Sequence, residues 1–160
     1  MRLSSRFPVA VQMLVISAWC PEEVKVTSDL LALSVNTNPA LIRRIMGYLK
    51  KAGLITVSPG IGGILFTRPA DKITLLDVYQ AVELTGENAL FGLHHDQNQS
   101  CPIGSRVNDV IGPHLHNARE ALEKSLEKVT IEQIKNDFPE FNREEIKKML
   151  PEAVTRAGNL

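Results

Sequence analysis

Two cysteines in 160 residues cannot form a disulfide framework, so the chain reads as a protein of a reducing compartment, the cytoplasm. The 10 Gly and 9 Pro follow no period, which excludes collagen-like and low-complexity chains. No phosphate loop, dinucleotide fingerprint, nucleophile elbow or paired-carboxylate motif occurs, which argues against an enzyme. No internal repeat is visible. Nor is there a run long enough for a membrane span: the uncharged stretch from Phe7 to Pro21 falls short of the roughly 18–20 residues required. That stretch follows Arg2 and Arg6 like a secretion signal, but bulky Trp19 stands before Cys20 where cleavage needs a small residue. Its apolar residues Phe7, Ala10, Val11, Leu14, Val15 and Ala18 instead have the spacing of one buried helix face.

Hydrophobic residues make up 44% of the chain and charged residues 22%, enough for a buried core in one domain or a domain plus an arm. Net charge is zero, yet residues 1–68 carry 8 Lys+Arg against 3 Asp+Glu, and residues 69–160 carry 10 against 15. A basic first half points to a polyanionic partner.

Thr27 is a capping type of residue before a short helix, Ser28 to Leu33. The polar turn Ser34 to Asn38 leads to Pro39, suited to the first position of a helix running to Ala52. Leu41, Ile42, Ile45, Met46 and Leu49 form its apolar stripe, Arg43, Arg44, Lys50 and Lys51 lie off it, and Gly53 stops it. Leu54–Val57 and Ile64–Thr67 read as the strands of a β-hairpin around a glycine-rich turn. Three helices and a hairpin, with a short turn between the second and third helices, make a winged helix-turn-helix. The expected fold class is mainly α with a small hairpin (α+β), ending in a long helix.

The expected divisions are a winged domain over 1–83, a polar loop over 84–101, a long helix over 102–129, and short helices with a fraying tail over 130–160. Thr74 caps a helix from Leu75 to about Leu84. Val107, Val110, Ile111, Leu115, Ala118, Leu122, Leu126 and Val129 step by three or four along the long helix, which starts at Pro102 and kinks or splits at Gly112-Pro113. Thr130 to Gln133 and Asn142 to Glu145 are capping-box patterns opening two short helices, the second ending near Leu150-Pro151.

Lys50-Lys51-Ala52-Gly53-Leu54-Ile55, then Gly60-Ile61-Gly62-Gly63, Arg68-Pro69 and the run Ile73 to Glu83 form an ordered series of motifs. From Met1 to about Thr130 the series closely resembles the Rrf-two family of bacterial repressors. Leu90 to His94 followed by Cys101-Pro102-Ile103-Gly104 looks most like the family's YwnA-like branch, whose members lack an obvious cluster-binding set. The residues after Asp137 match no pattern. The resemblance implies a homodimer in which the long helices cross and each recognition helix enters a major groove of a palindromic operator.

Candidate DNA contacts are Arg2, Ser4 and Arg6 at the amino end, then Asn38, Ala40, Arg43, Arg44 and Tyr48 on the recognition helix. Lys50 and Lys51 are phosphate contacts, and Gly60 and Gly62 bring the wing backbone close, although tight-turn geometry alone explains much of their presence. Arg43 stands where the resemblance leads one to expect glutamate, so a relative's operator does not transfer. Pro59 replaces an arginine common before the first wing glycine, which argues against minor-groove insertion. A partner helix would cover Val107, Ile111, Leu115, Leu122 and Leu126.

Cluster-binding relatives place three cysteines six residues apart. Counting back from Cys101, the two earlier positions here are His95 and Ala89, and Gly104 replaces a further histidine ligand, so no cofactor or metal is expected. Cys101 before Pro102 reads as the N-cap of the long helix, where the dipole activates a thiol as a sensor. The simpler reading is a small residue filling space. His94, His95, His114 and His116 raise zinc or copper, but their spacing fits no ligand motif. The expectation is a DNA-binding regulator without a membrane partner, thiol-responsive through Cys101. Its rivals are an iron-sulfur or metal-responsive regulator and a winged module that binds only protein.

Overall fold

The computed structural model describes residues 5–21, 24–58, 63–83, 90–91, 93, 96–139 and 145. Among them are six α-helices, α1 Arg6–Trp19, α2 Ser28–Val35, α3 Pro39–Lys51, α4 Leu75–Glu83, α5 Val107–Glu127 and α6 Ile131–Asp137, with strands β1 Ile55–Val57 and β2 Ile64–Phe66. The architecture is a winged helix-turn-helix followed by a long helix and a short returning one.

Local chemistry starts and stops these elements. The Thr27 hydroxyl accepts the Leu30 N–H at 3.2 Å and opens α2. Asn36 ends it in the left-handed region at φ 55°, and Thr37 N–H returns to the Ala32 carbonyl at 2.9 Å. The Asn38 carboxamide then accepts the Ala40 N–H at 2.7 Å, with Pro39 in the first turn of α3. Gly53, at φ +71°, lets Leu54 N–H reach back to the Leu49 carbonyl and hands α3 to β1. β1 and β2 pair antiparallel with Ile55 opposite Phe66, and Ile64 N–H extends the sheet edge to the Val26 carbonyl.

The core gathers one face from every element before α5. Met13 and Leu14 of α1, Leu31 of α2, Ile42, Ile45 and Leu49 of α3, Ile55 of β1 and Val78 and Val82 of α4 are all at most 1% exposed. Each such side chain contributes roughly 1.5–3 kcal/mol relative to exposure. The expected stripe of α3 is the buried face, with Leu41 half-buried at its edge.

Two expectations change in the last third. The long helix begins at Val107, not Pro102, because residues 102–106 form turns and Arg106 is the N-cap. Gly104 makes that turn tight: a Cβ there would meet the Asn98 carbonyl oxygen at 3.0 Å and the Cys101 Cβ at 3.3 Å. Nor is α5 split at Gly112-Pro113, since the helix runs unbroken through Pro113. The proline ring removes a donor from the helical ladder, and fourteen helical residues downstream, to Glu127, carry the helix on. The expected helix at Asn142–Leu150 falls almost wholly outside the described residues, as does the tip of the hairpin at 59–62.

After α5 the chain turns back. Leu75 N–H binds the Val129 carbonyl at 2.8 Å and Ile131 N–H binds the Ile73 carbonyl at 2.9 Å, so the starts of α4 and α6 are stitched together. Thr130 and Gln133 form the expected capping box. Ile131 is wholly buried in the core cluster, and α6 packs on α1. Truncating it in Ile131→Ala should cost about 2–5 kcal/mol in urea unfolding of the whole winged domain. A loss within the noise would show that α6 is an appendage.

Candidate DNA-recognition surface

With one face of α3 in the core, the opposite face is fixed outward. Asn38, Ala40, Arg43, Arg44, Gly47, Lys50 and Lys51 are all exposed. Four cations thus lie on or beside one short helix whose inner side is wholly apolar, the arrangement of a helix offered to a polyanion. Gly47 sits in the middle of this face, and a Cβ added there would meet nothing within 4 Å. It therefore has no packing role, although glycine weakens a helix by roughly 0.5–1 kcal/mol relative to alanine. Its only spacing signal in the sequence is one turn beyond Arg43 and Arg44.

The arginines are held before any DNA arrives. Arg43 Nε–H donates to Ser28 Oγ at 3.2 Å and its Nη2 lies 3.3 Å from Asp29 Oδ1, across to α2. Both charged side chains are more than half exposed, so this pair is a weak one, worth about 0–1 kcal/mol, that phosphate can displace. Arg44 Nε–H donates to the Tyr48 hydroxyl at 2.8 Å, and its guanidinium carbon is 5.8 Å from the ring centre. Arg6 approaches the same ring at 6.0 Å and reaches Glu83 Oε2 at 4.0 Å. The Arg44 hydrogen bond, opposed by partial desolvation and reinforced by Arg6, holds the Tyr48 hydroxyl below its ordinary range. Arg6 therefore sits between Tyr48 and Glu83 with its side chain only 21% exposed, and lies beside the recognition face rather than on it. Arg2, Ser4, Gly60 and Gly62 fall outside the described residues.

Sequence reasoning missed Ser28, Asp29 and Glu83. Only the four-residue step from Arg44 to Tyr48 was a usable local signal.

The second surface is α5. None of its 21 residues is buried. Val110 is 62% and Ile111 37% exposed, while Val107, Leu115, Leu122 and Leu126 are half-buried.

Cys101 lies before that helix but does not cap it, since Arg106 takes that place. Its sulfur accepts the Gly104 N–H at 3.3 Å within the tight turn. The Gly104 and then the Ile103 amides, against weak desolvation, hold the thiol below its ordinary range. Cys20, at the end of α1, is pushed up by burial.

The sequence profile of the Rrf2 iron-dependent transcriptional regulators matches residues 3–137. The chain belongs to the Rrf2 family. It is 31% identical over 134 residues to YwnA of Bacillus subtilis, which bears the name of an HTH-type transcriptional regulator; the match covers 84% of this chain and 97% of YwnA. A solved structure described as a DNA binding protein superposes with a TM-score of 0.64 at 29% identity, over 81% of this chain and 98% of that one. CymR, the global cysteine regulator of B. subtilis, has the same fold at a TM-score of 0.62 and 18% identity, over 87% and 99%. The Rrf2 protein described here is accordingly a transcriptional regulator and not an enzyme, with DNA as its partner. Among the described residues no helix is long and apolar enough to cross a membrane.

Among the described residues the donors do not fit the iron in the family's description. Near α5 the only thiol is Cys101, Gly104 has no side chain to offer, Ala89 has no donor atom, and Ala89, His94 and His95 lie outside the described residues. Among the described residues no three His, Cys, Asp or Glu side chains converge as metal ligands do, whereas a cluster normally takes four, mainly thiolates. His116 faces Glu120 at 3.3 Å instead.

The two thiols should separate by reactivity. A lowered pKa means more thiolate at neutral pH, so with limiting iodoacetamide at pH 7 Cys101 should be alkylated well before Cys20, the gap narrowing as pH rises and Cys20 also ionises. Peptide mass spectrometry reads this directly, and equal rates at pH 7 would show that the turn does not activate Cys101.

Proposed function

We propose that this regulator is a homodimeric repressor whose two α3 helices read successive major grooves of a palindromic operator. The observation that carries the dimer is the bareness of α5. It is roughly 31 Å long at about 1.5 Å per residue, and Val107, Ile111, Leu115, Leu122 and Leu126 recur along it in steps of four and seven, as one face. A single helix with an apolar stripe left half-covered is poorly stable in water, and a second copy offers an identical stripe about a twofold axis. The twofold then places two α3 faces roughly one DNA turn, or a multiple, apart. Arg43 and Arg44 serve as base and phosphate contacts, Lys50 and Lys51 as phosphate contacts, and Asn38 stiffens the end of α3 as its cap. The Cys101 thiol is the input: a bulky adduct there lies in the turn that leads into α5 and alters how the two copies cross. Operator affinity of the alkylated protein should fall, and unchanged affinity would remove Cys101 from the mechanism.

Two measurements test the core of this reading. On an operator selected from random-sequence DNA, Arg43→Ala and Arg44→Ala should each cost about 1–3 kcal/mol with relaxed base preference, or lower the salt slope by about one if the contact is to phosphate. Full affinity and preference in the double variant would put another face in the groove. In sedimentation, Val110→Glu with Ile111→Glu should shift dimer to monomer, because an apolar seam would have to bury four like charges. Both residues are exposed in the single chain, so the fold should survive, and an intact dimer would move the interface elsewhere.

A further inference from the structure

Gly47 lies inside α3 at a place where the fold has no use for a glycine. Its φ is not positive, unlike that of Gly53 and Gly63, so its backbone conformation is open to any residue. No neighbour presses on it either: a Cβ built there would meet nothing within 4 Å among the described residues, and the position is exposed. In the middle of a 13-residue helix alanine would be the more stabilising residue. What the fold leaves unexplained, a surface pressed against the helix from outside explains.

The surroundings indicate what that surface carries. On a helix the positions that border a residue are those three and four away, and for Gly47 these are Arg43, Arg44, Lys50 and Lys51, all exposed. Every cation of α3 thus frames the one residue that has no side chain. Neither arginine folds over it, since Arg43 is held across to Ser28 and Asp29 of α2 and Arg44 is held by Tyr48. The result is a bare patch of backbone inside a cationic frame, which suits a polyanion that comes very close. We propose that Gly47 lets α3 sink into the major groove until its backbone touches the base edges, and so sets the depth at which Arg43 and Arg44 read them. The groove is about 12 Å wide and a helix with its side chains about 10–12 Å across, so the side chain at the centre of the inserted face decides how deep the helix goes. Gly47 reads no base itself, because it has no side chain and the amide of a residue inside a helix is already bonded four residues back. Its contribution is the missing methyl group. This inference rests on the reading of α3 as the helix that enters the groove.

Substitution at Gly47 should therefore separate folding from binding. In the full chain, Gly47→Ala should raise the melting temperature by about 2–4 °C, since alanine is the better helix former. Its affinity for an operator selected with the wild type should nevertheless fall about tenfold or more, because the added methyl holds the helix off the groove floor. Binding to unrelated DNA at the same salt should change by no more than about twofold, because the four cations remain. Gly47→Leu distinguishes depth from stiffness: leucine forms helices nearly as well as alanine but is larger, so its operator affinity should fall about tenfold further. Unchanged or tighter operator binding by Gly47→Ala would overturn the proposal. So would equal losses in the alanine and leucine variants, which would make Gly47 a point of flexibility in α3, and so would equal losses on operator and unrelated DNA. Arg43→Ala and Arg44→Ala separate this inference from the reading beneath it. If they weaken operator binding and Gly47→Ala does not, the depth claim alone fails; if none of the three weakens it, α3 is not the helix in the groove.

Discussion

The outward face of α3 is only as well placed as its inward face is buried. Ile42, Ile45 and Leu49 are wholly inaccessible, and they set both the rotation of the helix and its depth against α1 and α2. Rotating α3 by one residue would withdraw two of these side chains and drive Arg43 or Arg44 into an apolar core, where an unpaired guanidinium costs far more than any surface contact returns. The cap at Asn38 and the left-handed residue Asn36 fix the remaining freedom, the angle between α2 and α3. In the proposed reading, what DNA meets is therefore decided by residues it never touches.

A second layer of order sits on that platform. Arg44 lies against Tyr48, Tyr48 is flanked by Arg6, and Arg6 faces Glu83, the last residue of α4. Glu83 is 8% exposed, and its Oε1 has no hydrogen-bond partner among the described residues. A buried carboxylate in that condition depends on its cation for compensation, so Arg6 is committed to Glu83 and Tyr48. The recognition helix, the first helix and the end of α4 thus share one electrostatic contact.

Much of this could be read from sequence, and the division between what could and could not is physical. The caps inferred at Thr27, Thr74 and Thr130 appear with their hydrogen bonds, and Pro39 takes its expected place in the first turn of α3, because such signals involve neighbours within three residues. The buried stripe of α3 was legible for the same reason. Cys101-Pro102 has the local look of a cap and a first helical turn, yet the helix starts later, because Gly104 lets the chain fold back on Asn98. The thiol is held below its ordinary range by the amides of a single turn and not by a helix dipole. The hold of Asp29 on Arg43, and of Glu83 on Arg6, joins residues 14 and 77 positions apart, and no periodicity encodes such a meeting.

The course of α5 follows from where its two ends are tied. Its carboxyl end is fixed, through Val129 and Ile131, to the start of α4. α4 has 9 residues and α5 has 21, so at about 1.5 Å per residue the long helix outruns the short one by roughly 18 Å. Leu122 and Leu126, near the tied end, are half-buried, as are Val107 and Leu115, and the exposed large apolar residues of α5, Val110 and Ile111, both lie in its first half. The self-association proposed above would be directed to the first half of α5, the half that the turn at Cys101 introduces. In the dimer proposed above, a change at that thiol acts at the end of the helix least supported by its own chain. The tied end, anchored in the core by Ile131, stays with the winged domain. In that proposed dimer, a chemical event of a few ångströms at the free end would be transmitted as a change of angle between two rigid heads, which needs neither a metal nor any rearrangement of α3.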